Sequence, residues 1–496
     1  MNLDELLLYL REEDVRLSRR DGRLAFDAPD GAITDTVLAA LRDHKDTLLD
    51  GLVAGPPPPE ASGPATWMQR HLANLHDRTD NPATWNVSYC LDLSGSLDTS
   101  ALDRAVSLLV ERHDLLRTCF RGYAGSLVQE VRPAAPIRLD TVDLRPSDEE
   151  RASEERVGEW CQEAAEEAFQ VEGGPLIRMP LARVGAQEWV LMLVQHHMIT
   201  DAVAVGILFR ELAALYTDAV HGREPTLPPI RTRLIDYARW QRGQLEGERG
   251  ERLMEYWREQ FADADLTLAL PGDRPRPDHL SGAGTVVSTT IPPHLAERLE
   301  EYARSRRVTL YTVLLTAFGR LLTDLSAQKE VVVVGNSANR DRTEFESLVG
   351  MLVTSLPLRL RFDSADTVED AVRSVGRTVL GALDHQTMPF PLVRDRLRFQ
   401  DLPGGDRFPY VWFGFNQPAP RDLGMPGLRA SVEEVLISGA RADFGVVVVP
   451  EQGLQLCWEL STDFLTAETA ERWARRYRNL LERLLEEPTL EVAEWR

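Results

Sequence analysis

The chain is poor in cysteine. Its 496 residues contain four, Cys90, Cys119, Cys161 and Cys457. They are scattered and form no CxxC pair, so neither a disulfide framework nor a thiolate zinc site is expected. Lysine is nearly absent, with only Lys45 and Lys329; almost all positive charge is arginine. The 56 basic residues are outnumbered by 78 acidic ones, a formal charge of −22. That balance argues against nucleic acid or an anionic membrane surface as the main partner. No run approaches the ~20 apolar residues of a membrane span. The N-terminal MNLDELLLYLREED carries acids where a signal peptide needs basic residues. A cytoplasmic protein is expected. There is no GxxxxGK[ST] and no GxGxxG after a strand, so no phosphate-cradling loop is expected.

What is present is globular in composition, 43% hydrophobic and 27% charged, and too long for one ordinary domain. GPPPPEASGP, Gly55 to Pro64, marks a break. Four successive prolines favour a semi-rigid linker and cannot continue a helix or a central strand. The chain therefore divides into a small unit at 1–54, a linker at 55–63 and a larger body from 64 onward. In the small unit Leu3, Leu6, Leu7 and Leu10 follow helical spacing. Asp21-Gly22 separates two alternating runs, Val15/Leu17 and Leu24/Phe26, a hairpin signal because both turn positions need positive φ. Thr34 is placed to cap a last helix carrying Val37, Leu38, Leu41, Leu48 and Leu49. The result is a helix–hairpin–helix body with a thin core, suited to docking an extended peptide along its hairpin edge.

In the larger body helical periodicity marks 98–116, 150–169, 202–220, 294–304, 309–325 and 466–486. Strand-like runs mark 86–93, 188–195, 331–335, 352–361, 409–416, 443–449 and 454–460. Several strands follow one another without crossover helices, which predicts an α+β fold rather than a wholly parallel sheet.

The chemistry concentrates in QHHMITDA, Gln195 to Ala202, at the end of a predicted strand. Neighbouring strand residues face opposite ways, so His196 and His197 should not share one job. His196 reads as a satisfied core histidine. Asp201 reads as a helix cap or as the partner of a buried arginine. His197 is either an inert loop residue or the chemical group. Adjacency splays the two rings apart, and no third ligand has suitable spacing for a metal. RHDLLRTCF, Arg112 to Phe120, reads alone as a helix end with cations near its C-terminus.

Taken together, QHHMITDA and RHDLLRTCF resemble the HHxxxDG signature and its companion in the condensation domains of nonribosomal peptide synthetases, related to chloramphenicol acetyltransferase. TWMQRHL (66–72), LIDYARWQR (234–242), NRDRTEFESLVGMLVTSLPLRL (339–360), DHQTMPFPLV (384–393) and FPYVWFGFNQ (408–417) resemble further family segments in the family's order. The pattern of residues 1–52 resembles the tubulysin-type docking domains of modular megasynthases.

The resemblance implies two acetyltransferase-like lobes in a V, 64–238 and 239–496, with a tunnel at their interface. It implies amide formation by attack of a carrier-bound aminoacyl amine on an upstream carrier-bound acyl or peptidyl thioester. His197 would be the catalytic residue. His196, Asp201 and Arg340 would be structural at the site, with Arg342 as the fallback partner of Asp201. No cofactor would bind directly, since substrates ride on phosphopantetheine arms. The implied partners are upstream and downstream peptidyl carrier proteins, the C-terminal tail of an upstream synthase subunit, and a downstream adenylation domain in a longer chain.

The pattern departs from the family in places. Ala202 replaces the glycine after the aspartate, at a donor-side gate. Asn339 replaces glycine, Thr354 replaces asparagine, and Thr387 and Met388 stand where acidic and aromatic residues are common. Two alternatives follow: a subtype that also dehydrates serine or threonine, and a non-catalytic scaffold that recruits a tailoring enzyme. Such scaffolds usually lose the second histidine, which is intact here.

Overall fold

A computed structural model describes residues 6, 9–10, 15–20, 23–29, 32–45, 48–49 and 59–495, except 123–125, 147–150, 364, 406–407, 409–410, 419, 421 and 438. The chain separates into two compact units, Met1–Glu60 and Ala61–Arg496.

In the first unit, strands Arg16–Arg20 and Arg23–Asp27 pair antiparallel, with Arg20 opposite Arg23. That register leaves a two-residue connection; Asp21 and Gly22 themselves lie outside the described residues, as do Leu3 and Leu7. Thr34 caps helix Asp35–Asp43 by accepting the Val37 N–H at 3.3 Å. Leu6, Leu10, Val15, Val37, Ala40, Leu41 and Leu48 form a small core. The Tyr9 hydroxyl donates to the Ala32 carbonyl at 3.0 Å and ties the first helical segment to the loop before that helix.

The second unit is built on two six-stranded sheets, each with its own core. The first sheet runs in the order 428–434, 86–95, 188–196, 181–183, 141–143, with 177–178 also paired to 188–196. The second runs 284–291, 453–461, 444–451, 411–415, 330–337, 354–361. It is mixed: 411–415 pairs parallel with both of its neighbours, and the remaining pairs are antiparallel. Strand Glu188–His196 is central in its sheet and packed on both faces, which explains its unbroken apolar run, VLMLV. Helices Thr99–Arg112 and Ala202–Val220 pack together on the first core. Helices Leu310–Ser326 and Ala467–Glu486 cover one face of the second sheet, where Phe318, Phe413, Phe444, Trp458, Trp473 and Tyr477 interlock.

The two halves of the sequence interleave. Strand Leu428–Glu434 crosses from the second half to complete the first sheet, and Phe345, Leu348, Val349, Met351 and Leu352 join the first core. Residues 61–63, placed in the linker by the proline run, are strand: Ala61–Pro64 pairs with Val128–Val131 in a small three-stranded sheet. Ala-Ser-Gly-Pro has no apolar alternation to announce it. It is held from outside, where Gly63 lies so close to Ile235 that a Cβ would reach within 2.5 Å. No single helix among the described residues is long and apolar enough to cross a membrane.

Candidate active site

Strand Glu188–His196 ends in one turn of 3₁₀-helix, His197–Ile199, before Asp201 opens helix Ala202–Val220. His196 is fully buried. Its Nδ1 accepts the Met198 N–H at 3.2 Å, so in the neutral ring the proton sits on Nε2. That Nε2 lies 3.2 Å from Nδ1 of His76, at the end of helix Trp67–His76. The two rings meet edge to face, and Phe169 closes the other side. Gln69 fixes the same turn. Its Oε1 accepts the Thr66 N–H in a capping box, while its Nε2 donates to the Met198 carbonyl at 3.1 Å.

His197 is only partly covered. Its Nδ1 is 3.0 Å from the Thr200 carbonyl, which can only accept, so Nδ1 carries the proton and Nε2 keeps its lone pair. Burial, reinforced by the nearby Arg441 guanidinium, pushes the imidazole down to about 4, against the opposing pull of its backbone hydrogen bonds and of Asp201. Burial also lowers His196, with help from the His76, His197 and Arg441 charges, and lowers His71 to about 4.

These shifts fix a pH dependence. The unfolded chain protonates its histidines near pH ~6.5, whereas the folded chain resists protonation of His71 and His197 until about 4. Unfolding therefore takes up protons in that window, and stability falls as pH drops through it. Thermal melts between pH 7 and 4 should show a midpoint that declines below about pH 6.5. A midpoint flat down to pH 4.5 would contradict these assignments.

Asp201 is the hub of the site. Its Oδ1 accepts the Ala204 N–H at 2.9 Å and Arg340 at 3.0 Å. Its Oδ2 accepts Arg340 at 2.9 Å and the backbone N–H groups of Leu352 and Val353 at 2.9 and 3.2 Å. Both side chains of the pair are buried, 6% and 4% exposed. Arg340 also donates to the carbonyls of Ala338, Leu348 and Gly350. Arg342, the fallback, pairs instead with Glu344 on the surface. Ala202 occupies the first helical turn and is exposed, and its φ is not in the left-handed region, so the missing glycine costs no backbone strain.

The other motif segments converge on this frame. His113 lies 2.6 Å from Glu211 on the helix that Asp201 caps, and Arg112 donates to the same carboxylate at 2.8 Å. Asn339 adopts a left-handed φ of 51°, a conformation that asparagine tolerates better than most residues and that accounts for the usual glycine. Its Nδ2 donates to the Tyr237 hydroxyl at 2.7 Å, and Gln241 donates to that hydroxyl as well. Gln386 is hydrogen-bonded to the Ser337 hydroxyl, which accepts the Asn339 N–H. Met388 is fully buried, and Thr354 is buried with its hydroxyl unpaired among the described residues. Sequence reasoning did not single out His76, Gln69 or Arg441. Gln69 lay inside a quoted motif, but nothing in the sequence marked His76 or Arg441. Among the described residues, the grouping with metal-ligand spacing is Cys90, Asp92 and Glu433, and it includes neither histidine of the turn.

The chain belongs to the condensation domains. The Condensation domain profile matches residues 60–496, and the TubC N-terminal docking domain profile matches residues 3–52. The chain is similar to tyrocidine synthase 3 of Brevibacillus parabrevis, 30% identical over 87% of the chain and 6% of that synthase. It is 31% identical to malpinin synthetase of Mortierella alpina, over 82% of the chain and 5% of the synthetase. The chain thus spans a small part of these curated relatives. Among solved structures, the X-domain from teicoplanin biosynthesis is 27% identical with a TM-score of 0.78, covering 87% of this chain and 97% of that one. The first condensation domain of the calcium-dependent antibiotic synthetase shares the fold at 20% identity, with a TM-score of 0.72 over 88% of this chain and 99% of that one. The fold is that of two acetyltransferase-like lobes.

Proposed function

We propose that the chain joins two carrier-bound substrates by an amide bond. The observation that carries this reading is the His197 Nε2 lone pair, left by the Nδ1–Thr200 carbonyl bond in a turn held by Gln69 and by the Asp201–Arg340 pair. In the proposed step the acceptor amine attacks the donor thioester carbonyl, the C–N bond forms, and the C–S bond breaks to release the pantetheine thiol. The nitrogen loses one proton, which ends on the departing sulfur. An imidazole pushed down to about 4 is a weak base. It is better suited to orient a neutral amine and relay the acidic proton of the tetrahedral adduct than to strip a free ammonium. The remaining acceleration comes from holding two tethered substrates in one cleft.

The partners in this reading are an upstream and a downstream peptidyl carrier protein, each presenting its substrate on a phosphopantetheine arm, with an adenylation domain downstream in the longer synthase. The unit at 1–60 would receive the C-terminal tail of an upstream subunit along its hairpin. The cytoplasm is where these partners would meet. We place the functional boundaries at 1–54, 55–60, 61–238 and 239–496, with residues 61–63 moved from the linker to the first lobe and strand 428–434 lent to that lobe.

The test is intact-mass spectrometry of a loaded acceptor carrier mixed with a loaded donor carrier and this chain. Gain of the full donor acyl mass supports condensation. A product one water lighter identifies the dehydrating subtype. No transfer with cognate pairs points to the recruiting scaffold, the role for which the likeness to the teicoplanin X-domain gives a precedent in a complex with OxyB. Deleting residues 1–60 should raise the KM for a donor carrier delivered on the upstream subunit and leave that for an isolated donor carrier unchanged. Equal KM values for the two deliveries in the intact chain would remove the docking role.

A further inference from the structure

One face of the second sheet is covered by helices through Phe413, Phe444 and Trp458. Alternation turns Trp412, Gly445, Val447, Cys457 and Glu459 to the other face. That face looks toward the first lobe: the Arg441 N–H donates to Glu459 Oε1 at 2.8 Å, while its guanidinium reaches the carbonyls of Thr84 and Asn86 at 3.1 and 3.3 Å. Trp412, Gly445 and Glu459 form one row across three strands, Trp412 opposite Gly445 and Gly445 opposite Glu459.

Glycine at 445 is what makes the row possible. A Cβ there would collide with Nε1 and Cε2 of Trp412, and one at Gly414 would come within 3.1 Å of its Cζ3. The indole therefore lies flat on the backbone, beside Glu459. From the first lobe Glu434, at the end of the crossing strand, acts electrostatically on Cys457 and Tyr89 and is itself acted on by Glu459 and Arg441. It is exposed and has no hydrogen-bond or ion-pair partner among the described residues. Arg441 is the nearby cation, and no carboxylate lies within ion-pair distance of its guanidinium among the described residues; its side-chain bonds go to backbone carbonyls. Two carboxylates thus share one nearby guanidinium, a local excess of negative charge, with Glu434 exposed and Glu459 half-buried. Their packed surroundings raise both carboxyls, against the pull of the Arg441 charge, and Glu459 raises Glu434 further.

We propose that Trp412, Glu434 and Glu459 form a subsite for a cationic side chain, ammonium or guanidinium, on one of the two carrier-bound substrates. The carboxylates supply charge-assisted acceptors and the indole supplies a cation–π surface. The position suits this use. Asn86, which holds the Arg441 guanidinium, is the register partner of His196. One arginine side chain therefore separates the subsite from the histidine turn, the reach of a side chain branching from the reacting centre. The assignment rests on the condensing reading, but it is testable by binding alone.

The experiment is calorimetry of the full chain with three pantetheine amides: lysyl, norleucyl and Nα-acetyl-lysyl. The lysyl and acetyl-lysyl probes should bind about tenfold more tightly than the norleucyl probe. The Glu434→Gln/Glu459→Gln double variant should lose that preference, and Gly445→Ala, by lifting the indole, should weaken it. Circular dichroism and melting confirm that each variant is folded. Equal affinities for lysyl and norleucyl probes, a preference that survives the double variant, or no binding to folded protein would overturn the subsite. Tight norleucyl with weak acetyl-lysyl binding would assign the charge to the α-ammonium and overturn it too. Carrier-to-carrier transfer, measured in parallel, separates the readings. Transfer without cationic preference removes the subsite alone, and cationic preference without transfer removes the condensing reading alone.

Discussion

His197→Ala is expected to slow transfer by about 10²–10⁴-fold and to leave the melting temperature nearly unchanged. The ring lies at the partly open end of the turn, and its structural bond is a single Nδ1–H to the Thr200 carbonyl. Removing it leaves no buried group unpaired except that carbonyl, which faces the space the imidazole vacates. His196→Ala should behave in the opposite way. It deletes a fully buried ring that accepts the Met198 N–H and meets His76, so folding should suffer along with turnover. Single-turnover rates from loaded carriers, set beside melting curves, separate the two. If His197→Ala transfers at the wild-type rate, the imidazole has no chemical role and tethering of the substrates explains the rate.

The second large effect belongs to Asp201→Ala. Five hydrogen bonds end on this carboxylate, from Arg340, Ala204, Leu352 and Val353. Alanine would strand a buried guanidinium and uncap a 19-residue helix. Breaking a buried pair costs ~3–5 kcal/mol, and a lost cap about 1 kcal/mol more. Soluble protein with a midpoint at least several degrees lower, or none at all, is expected. Asp201→Asn should recover part of the loss, because the amide oxygen still caps Ala204. A thermally unchanged Asp201→Ala protein would refute the role of the pair.

The site was legible where its residues are neighbours in sequence. His196, His197 and Asp201 stand within one motif. Arg340 was reachable only through the family resemblance, since no spacing connects residues 139 positions apart. Six long helices and most of the long strands announced themselves by period, whereas helix Gly247–Phe261 did not. Strand Gly284–Ile291 did not: it is an edge strand with nearly uniform partial burial, so its sequence, GTVVSTTI, shows no clean alternation. Helix Val368–Asp384 carries a capping box and a buried stripe from Val368 to Ala382, but its valines and two glycines are poor helix formers and blur the signal. His76 meets His196, and Trp412 lies on Gly445, across chain separations that no local pattern encodes.

The strand that crosses between the lobes also sets a clock. Tyr89 finds its partner Glu434 only after 434 − 89 = 345 further residues have been made. At about 5–20 residues per second, the edge of strand 86–95 waits roughly 17–70 s on the ribosome with its backbone N–H and C=O groups unpaired. The first lobe therefore cannot finish folding as it emerges. Through that interval its open edge is the place where a neighbouring nascent chain would pair by mistake, and where a chaperone that covers exposed strands would matter most.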